Sequence, residues 1–278
     1  MTVAPLGVFA RCFPVAPPAE LAAAIASHGF DTVQLNLSAI GEQTIPGEAT
    51  LAGLDLAAIA GAFRDAGLSL WGLSGSYNMA HPDRDRARAE TAAAARLVRR
   101  AHELGVTAVT LCTGSRDPDD MWRAHPDNSS DAAWDDLLTN LVPLLDAADE
   151  ADVLLAVEPE PGNVVSGTEA ALRLARALGD RAARVGFILD PANLVAIHAP
   201  AEREAVLRDA FARLGDAAIC VHAKDVVPWT ARLDGAPGLD LDLIRELHAA
   251  LPRRVPVIIQ DADAQNIARV RDLVRGAA

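Results

Sequence analysis

Four short apolar runs in the second half of the chain each end on a residue able to hold a metal ion or move a proton. VLLAVEPEP delivers Glu158, VGFILDPAN delivers Asp190, AAICVHAKD delivers His222 and VPVIIQDAD delivers Gln260. Two carboxylates, an imidazole and an amide oxygen converging on one cavity make a mixed oxygen–nitrogen ligand set. Mn²⁺, Mg²⁺, Co²⁺ and Zn²⁺ all accept such a set, and no thiolate is offered that would select a softer metal. The ion would polarise a substrate carbonyl and stabilise the enediolate formed when the neighbouring carbon loses its proton. A carboxylate whose pKa is raised by apolar walls would serve as the base.

Taken singly, each residue has a plainer reading. A carboxylate at a strand end is often a helix N-cap or an ion-pair partner, which suits Asp190. A lone His222 suits a satisfied core histidine. Spacing is what argues for the residues together: 32 residues separate Glu158 from Asp190, 32 separate Asp190 from His222, and 38 separate His222 from Gln260. Each interval is close to one strand-plus-helix repeat, about 31 residues if roughly 250 are divided among eight units.

The elements that must position these residues recur along the whole chain. Short aliphatic runs lie near residues 5–10, 31–36, 68–73, 106–111, 152–157, 184–189, 217–222 and 255–259. Segments of helical period separate them, among them PAELAAAIASHGF, LDLAAIAGAFRDAG and RDRARAETAAAARLVRRAHELG, the last closing on a glycine as a C-cap does. GEQTIPGEA and TGSRDPDDMWRAHPDNSSDAA read as loops. Eight strands each followed by a helix predict an α/β chain forming a single (β/α)8 barrel over residues 1–278, with no interdomain linker. An open doubly wound sheet is the rival, but LGVFARCFPVAPP lacks the GxGxxG turn such sheets usually carry. In a barrel, chemistry sits at the C-terminal strand ends, where all four residues stand.

Composition narrows the partners. The 278 residues are 51% hydrophobic and 23% charged, enough for a sizeable core, and the net charge is −13. Phosphate-backbone binders draw affinity from clustered Lys and Arg. This chain has one lysine, Lys224, and its Arg96, Arg99 and Arg100 share a segment with acidic residues, so nucleic acid is disfavoured. Cys12, Cys112 and Cys220 include no CxxC pair and lie in or beside apolar runs, as buried free thiols in a reducing cytosol would. No apolar stretch approaches the roughly 20 residues of a membrane helix. These features predict a soluble, cytoplasmic protein with no membrane partner, and leave a homo-oligomer open.

LAVEPEPGN, ILDPAN and CVHAKD, with LSGSYNMAHPD and TLCTGSRDPDDMW upstream, resemble the sugar phosphate isomerase/epimerase family, the xylose-isomerase-like TIM barrels. The resemblance spans nearly the whole chain. It implies a metal-dependent isomerase or epimerase acting on a small ketose, keto-inositol or similar polyhydroxy carbonyl compound. Relatives also include dehydratases and apurinic endonucleases. By the same resemblance Glu158, Asp190, His222 and Gln260 are metal ligands, with Glu158 doubling as an acid/base group. His81 and Lys224 join Glu158 as catalytic candidates, and Asn78, Arg116, Asn193 and Glu160 as substrate-binding ones. Plainer roles stand beside two of them: His81 as a cap for the helix after Pro82, and Lys224 as a partner of Asp225.

Gln260 departs from the family, which usually carries a glutamate there as fourth ligand and second base. An amide still coordinates through oxygen but takes no proton at neutral pH. Two-base epimerisation through residue 260 is therefore excluded, and one-base chemistry or β-elimination from a ketosugar or keto-glycoside stays open. A degenerate sugar-binding barrel without catalysis is a further alternative. Asp261 or Asp263 could supply a carboxylate, although strand alternation turns Asp261 away from Gln260. Other motifs are weak: GLSGS misses the GxSxG pattern at Ser76, HExxH and GxxxxGK are absent, and LDGAPGLD (233–240) reads equally as a phosphate loop or a plain turn.

Overall fold

The eight aliphatic runs become eight strands in the computed structural model, which describes residues 4–276. They are β1 Leu6–Phe9, β2 Thr32–Leu35, β3 Ser69–Ser74, β4 Ala108–Leu111, β5 Leu154–Val157, β6 Val185–Leu189, β7 Ala218–Ala223 and β8 Val257–Ile259. Each pairs in parallel with the next, and β1 closes onto β8 with Leu6 opposite Val257 and Val8 opposite Ile259. The expected barrel is formed. Strands buried on both faces need apolar residues at nearly every position, which is why they read as continuous runs.

Helices fill every crossover. They are α1 Pro18–Ser27, α2 Glu48–Gly53, α3 Leu56–Asp65, α4 Arg84–Arg100, α5 Asp131–Ala151, α6 Thr168–Leu178, α7 Pro191–Val195, α8 Arg203–Leu214, α9 Trp229–Leu233, α10 Leu241–Ala249 and α11 Ile267–Arg275. Local sequence sets their ends. Asp83 caps α4 by accepting from Asp85 N at 2.9 Å and Arg86 N at 3.1 Å, and Ser130 caps α5 through Ala133 N. After α4 the chain tightens into a 3₁₀ turn and leaves through Gly105, whose φ of 68° suits glycine. In α5, Trp134, Leu137, Leu141, Leu144 and Ala148 recur at helical spacing and are buried. Emptying one such leucine position, as in Leu141→Ala, would cost about 2–5 kcal/mol. Among the described residues no helix is long and apolar enough to cross a membrane.

Inside the barrel Trp71, Ala108, Ala156, Ile188, Cys220 and Ile258 pack as a separate cluster. Successive side chains on a strand alternate faces, so the residue two positions on shares the inward face. Two positions after Ala156, Ile188, Cys220 and Ile258 stand Glu158, Asp190, His222 and Gln260. One apolar layer thus forms the floor beneath the four polar residues.

Candidate metal centre

Glu158, Asp190 and His222 are 8%, 1% and 0% exposed. One ligand atom from each lies within 4.8 Å of the others. Asp190 divides its carboxylate between two tasks. Oδ1 caps α7, accepting from Ala192 N at 2.8 Å and Asn193 N at 3.1 Å, while buried Oδ2 has no hydrogen-bond partner. The plain N-cap reading therefore holds for one oxygen and leaves the other free.

His222 is divided in the same way. Its Nε2 lies 3.0 Å from Gln34 Oε1, which only accepts, so the ring proton sits on Nε2. Gln34 is held by its own amide, which donates to Thr110 Oγ1 at 3.3 Å. Nδ1 is then a bare lone pair, buried and without a hydrogen bond, 3.2 Å from Glu158 Oε1. Two unpaired buried acceptors beside a carboxylate are costly unless a proton or a metal cation joins them. The donor set thus fits a divalent ion, with oxygen and imidazole ligands and a hydrogen-bonded outer partner on the histidine.

Charges inside the cluster oppose one another. Burial drives Asp190 up, and Glu158 beside it adds to the effect, to about 7. Glu160 is likewise raised to about 8 by burial and by Glu158. Burial also pushes Glu158 upward, but His222 and Lys224 outweigh it and hold this carboxyl below its usual range. For His222 burial favours the neutral ring, yet Glu158 and Asp190 leave its pKa raised. Lys224 is raised because Asp190, Asp261, Glu160 and Glu158 together overcome burial.

The remaining expected residues divide into two groups. Asn193 stays at the centre, its Nδ2 donating to Glu158 Oε1 at 2.9 Å, and Glu160 reaches the Glu158 carboxylate. Lys224 pairs with Asp261 at 3.4 Å rather than with Asp225. The alternation argument for Asp261 does not apply, because its φ of 57° takes the chain out of the extended form and swings the carboxylate toward Lys224. Gln260 differs from its three companions. Its Nε2 lies 3.1 Å from His222 Nε2, the ring nitrogen away from Glu158. One nitrogen cannot donate to Gln34 and accept from Gln260 together. A half-turn of the Gln260 amide, placing its oxygen there, satisfies both.

The second group lies elsewhere. Arg116 does not face the mouth: it donates to Asp136 at 2.6 Å and to Ala80 O at 3.2 Å, with its side chain 10% exposed. The substrate contact that the resemblance implied for Arg116 is replaced by this one, because the side chain turns back onto α5. Asn78 accepts from Ser115 N at 2.9 Å and donates to Asp117 O. A Cβ on Gly114, whose φ is 76°, would stand 2.1 Å from the Asn78 oxygen, so only glycine allows this staple. His81 accepts from Asp83 N at 3.0 Å through Nδ1 and reaches Pro118 O at 3.1 Å through Nε2. Asn78 and His81 thus brace the loop after β4. The helix cap foreseen for His81 belongs to Asp83. The phosphate reading of residues 233–240 also fails, since buried Asp225 accepts from Leu239 N at 3.0 Å and lies against Gly238. A carboxylate already fills that place.

Three participants escaped the sequence reading. Gln34 interrupts the buried run TVQL of β2, and an amide inside an otherwise buried strand is the signal that marks it. Cys112 follows β4 as Glu158 follows β5, and its buried thiol joins Glu158 and Glu160, so a sulfur does stand at the centre's edge. Trp122, in the loop after β4, is 55% exposed.

Comparison with known proteins supplies the wider setting. A family model described as xylose isomerase-like TIM barrel matches residues 22–250. A search of curated protein sequences returns no match. Among solved structures, the 3-keto-D-glucoside 4-epimerase YcjR of E. coli aligns with a TM-score of 0.76 at 16% identity, over 98% of this chain and 99% of that one. A D-psicose 3-epimerase of Clostridium cellulolyticum H10, crystallised with D-tagatose, gives 0.71 at 16% identity and 98% of both chains. The IolI protein, with a bound zinc atom, gives 0.68 at 15% identity over 98% of this chain and 97% of its own. At these identities the shared property is the fold.

Proposed function

This chain belongs to the xylose isomerase-like TIM barrel family, and within it we propose a metal-dependent isomerase or epimerase of a small polyhydroxy carbonyl compound. The observation that carries the reading is the pair of buried unpartnered atoms, Asp190 Oδ2 and His222 Nδ1, beside the Glu158 carboxylate. Neighbours named for a keto-glucoside and for D-psicose, and one holding zinc, support it.

Glu158, Asp190 and His222 would hold the ion, with Gln260 alongside. When bound, a divalent cation supplies positive charge that stabilises the oxyanion developing on the substrate carbonyl. Glu158 takes the proton from the carbon next to that carbonyl and delivers it, on the same face, to the former carbonyl carbon, while the hydroxyl left on the first carbon becomes the new carbonyl. Asn193 fixes the rotation of the Glu158 carboxylate through their 2.9 Å hydrogen bond. Lys224 offers an ammonium for a substrate hydroxyl, and Glu160 a carboxyl that burial keeps protonated near neutrality.

Gln260 favours a second reading. With an amide at position 260, Glu158 can take the α-proton and pass it to the β-oxygen, so that water or the aglycone alcohol leaves as the double bond forms, which describes a lyase. Product analysis by NMR in D₂O separates the two. Deuterium at the α-carbon of a mass-conserved product marks isomerisation, and loss of water or aglycone marks elimination. Glu158→Gln abolishes turnover by either route with an unchanged circular dichroism spectrum; full activity in that variant overturns both.

A further inference from the structure

A cavity of about 500 Å³ opens between α5, α6 and the loops after β4 and β5. Its volume falls in the roughly 300–1,000 Å³ range of small-ligand sites. Glu158, Glu160, Asp190, His222 and Gln260 do not line it. Pro126, Pro161 and Val164 give it an apolar side, and His125, Ser166, Arg173 and Arg176 a polar one. Among the described residues the one carboxylate on its wall is Glu169, which Arg213 already neutralises. In a chain of net charge −13 this is a local excess of positive charge.

Both guanidiniums on the wall keep bonding capacity to spare. Arg173 and Arg176 stand three residues apart on α6 and so share one face. The helical partner for Arg173 would be Glu169, four residues earlier. Arg213 of α8 holds that carboxylate instead, at 2.5 Å. Asp131 comes no closer to Arg173 than 3.8 Å, too far for a hydrogen bond. What fixes Arg173 is buried Trp134, whose ring centroid lies 3.9 Å from the guanidinium carbon. A guanidinium stacked by its face keeps its N–H edge free for a bidentate acceptor. Arg176 makes no hydrogen bond or ion pair among the described residues. His125 accepts from Asp127 N at 3.2 Å through Nδ1, so its ring proton sits on Nε2 and adds a donor.

Two uncommitted cations, neutral donors and an apolar flank match a small molecule that carries a dianion. A phosphate monoester carries about −1.5 to −2 charges at neutral pH and accepts from several donors at once. We propose that this cavity binds a small phosphorylated molecule, its phosphate held by Arg173 and Arg176, apart from the reacting centre. The site does not depend on the metal-centre reading, with which it shares no residue.

Titration of the protein in EDTA tests it, because the chelator keeps phosphate from meeting a metal ion. Inorganic phosphate and glycerol 2-phosphate serve as probes, with acetate and glycerol as controls, followed by calorimetry and ³¹P NMR. Both phosphates bind the wild type saturably, and acetate and glycerol bind at least about tenfold more weakly. Arg176→Gln removes no contact within the protein, yet weakens both phosphates by about tenfold or more, as loss of a charge-assisted hydrogen bond does. Arg173→Gln weakens them as well, but it also uncovers Trp134, so Arg176→Gln is the variant that separates recognition from packing. Absence of saturable phosphate binding to the wild type overturns the site. Unchanged affinity in the double variant Arg173→Gln/Arg176→Gln, with an unchanged circular dichroism spectrum, overturns it too by placing the anion elsewhere. Acetate binding as tightly as phosphate overturns the phosphate assignment. None of these variants alters Glu158, Asp190 or His222, so metal affinity and turnover report separately on the proposed reaction.

Discussion

Gln34 and His222 stand 188 residues apart in the chain and 3.0 Å apart across the barrel mouth. Through this contact β2 decides which nitrogen of a β7 histidine carries the proton. Outer partners of this kind commonly set the tautomer and basicity of a metal-binding histidine.

Removing the acceptor should release that proton. Gln34→Leu is expected to bind Mn²⁺ about 10–100-fold more weakly, with the His222 ring nitrogens in ¹⁵N long-range NMR spectra no longer reporting a single tautomer. Gln34→Glu keeps an acceptor and retains the Nε2–H form. Unchanged ring shifts in Gln34→Leu would remove Gln34 from this role.

At Asp190 the helix cap and the proposed metal contact use different oxygens. Asparagine caps helices as well as aspartate, so Asp190→Asn should keep the start of α7 while losing most affinity for Mn²⁺. Asp190→Ala should lose the affinity and also about 1 kcal/mol of stability. For a barrel of this size that corresponds to a Tm lower by about 2–4 °C. Equal Tm values for the two variants would show that the cap contributes nothing.

Gln260→Glu tests what the amide withholds. A carboxylate against the His222 Nε2–H makes the ring a stronger donor to a metal and adds a charge and a base. The variant should bind Mn²⁺ about tenfold more tightly, and should exchange substrate α-protons with solvent faster than the wild type. Affinity equal to or below that of the wild type would contradict this role.

The metal-free protein should lose stability as pH rises from 5 to 8. Asp190 and Glu160 have raised folded-state pKa values, about 7 and about 8. Over this window the folded chain therefore holds protons the unfolded chain has released, and raising pH favours unfolding. His222, also raised, acts in the same direction above its usual pKa. Depressed Glu158 acts oppositely, but only near and below the usual glutamate range. Thermal melts in EDTA should show Tm falling across the window, with a shallower fall in Asp190→Asn. Added Mn²⁺ should raise Tm more at pH 8 than at pH 5, because it binds the deprotonated ligands. A flat EDTA profile would show that the carboxyls titrate normally.

Much of this protein was legible in its sequence. Fully buried strands must be apolar throughout, so VLLAV, VGFIL and AAICV announced themselves. The period of one strand and one helix then placed Glu158, Asp190 and His222 at equivalent ends. Alternation within each strand explains why three side chains far apart in sequence share one inward face over the Ala156, Ile188 and Cys220 layer. These are local regularities, carried by the order of residue types.

Only the tertiary structure decided how individual polar atoms are spent. Arg116 and His81 are residues for which the family resemblance implied substrate contact, yet each is engaged by a partner elsewhere in the chain, Asp136 on α5 and the Pro118 carbonyl. Gln34 looked like one polar residue in a strand until the barrel closed and brought β2 across to β7. The free oxygen of Asp190, the bare nitrogen of His222 and the position of Gln260 on the opposite ring edge have the same origin. Hydrogen bonds are short and directional, and which of a side chain's atoms remains unpaired depends on neighbours dozens to hundreds of residues away. Sequence determined which residues reach the mouth of this barrel; packing decided which of their atoms are left to bind.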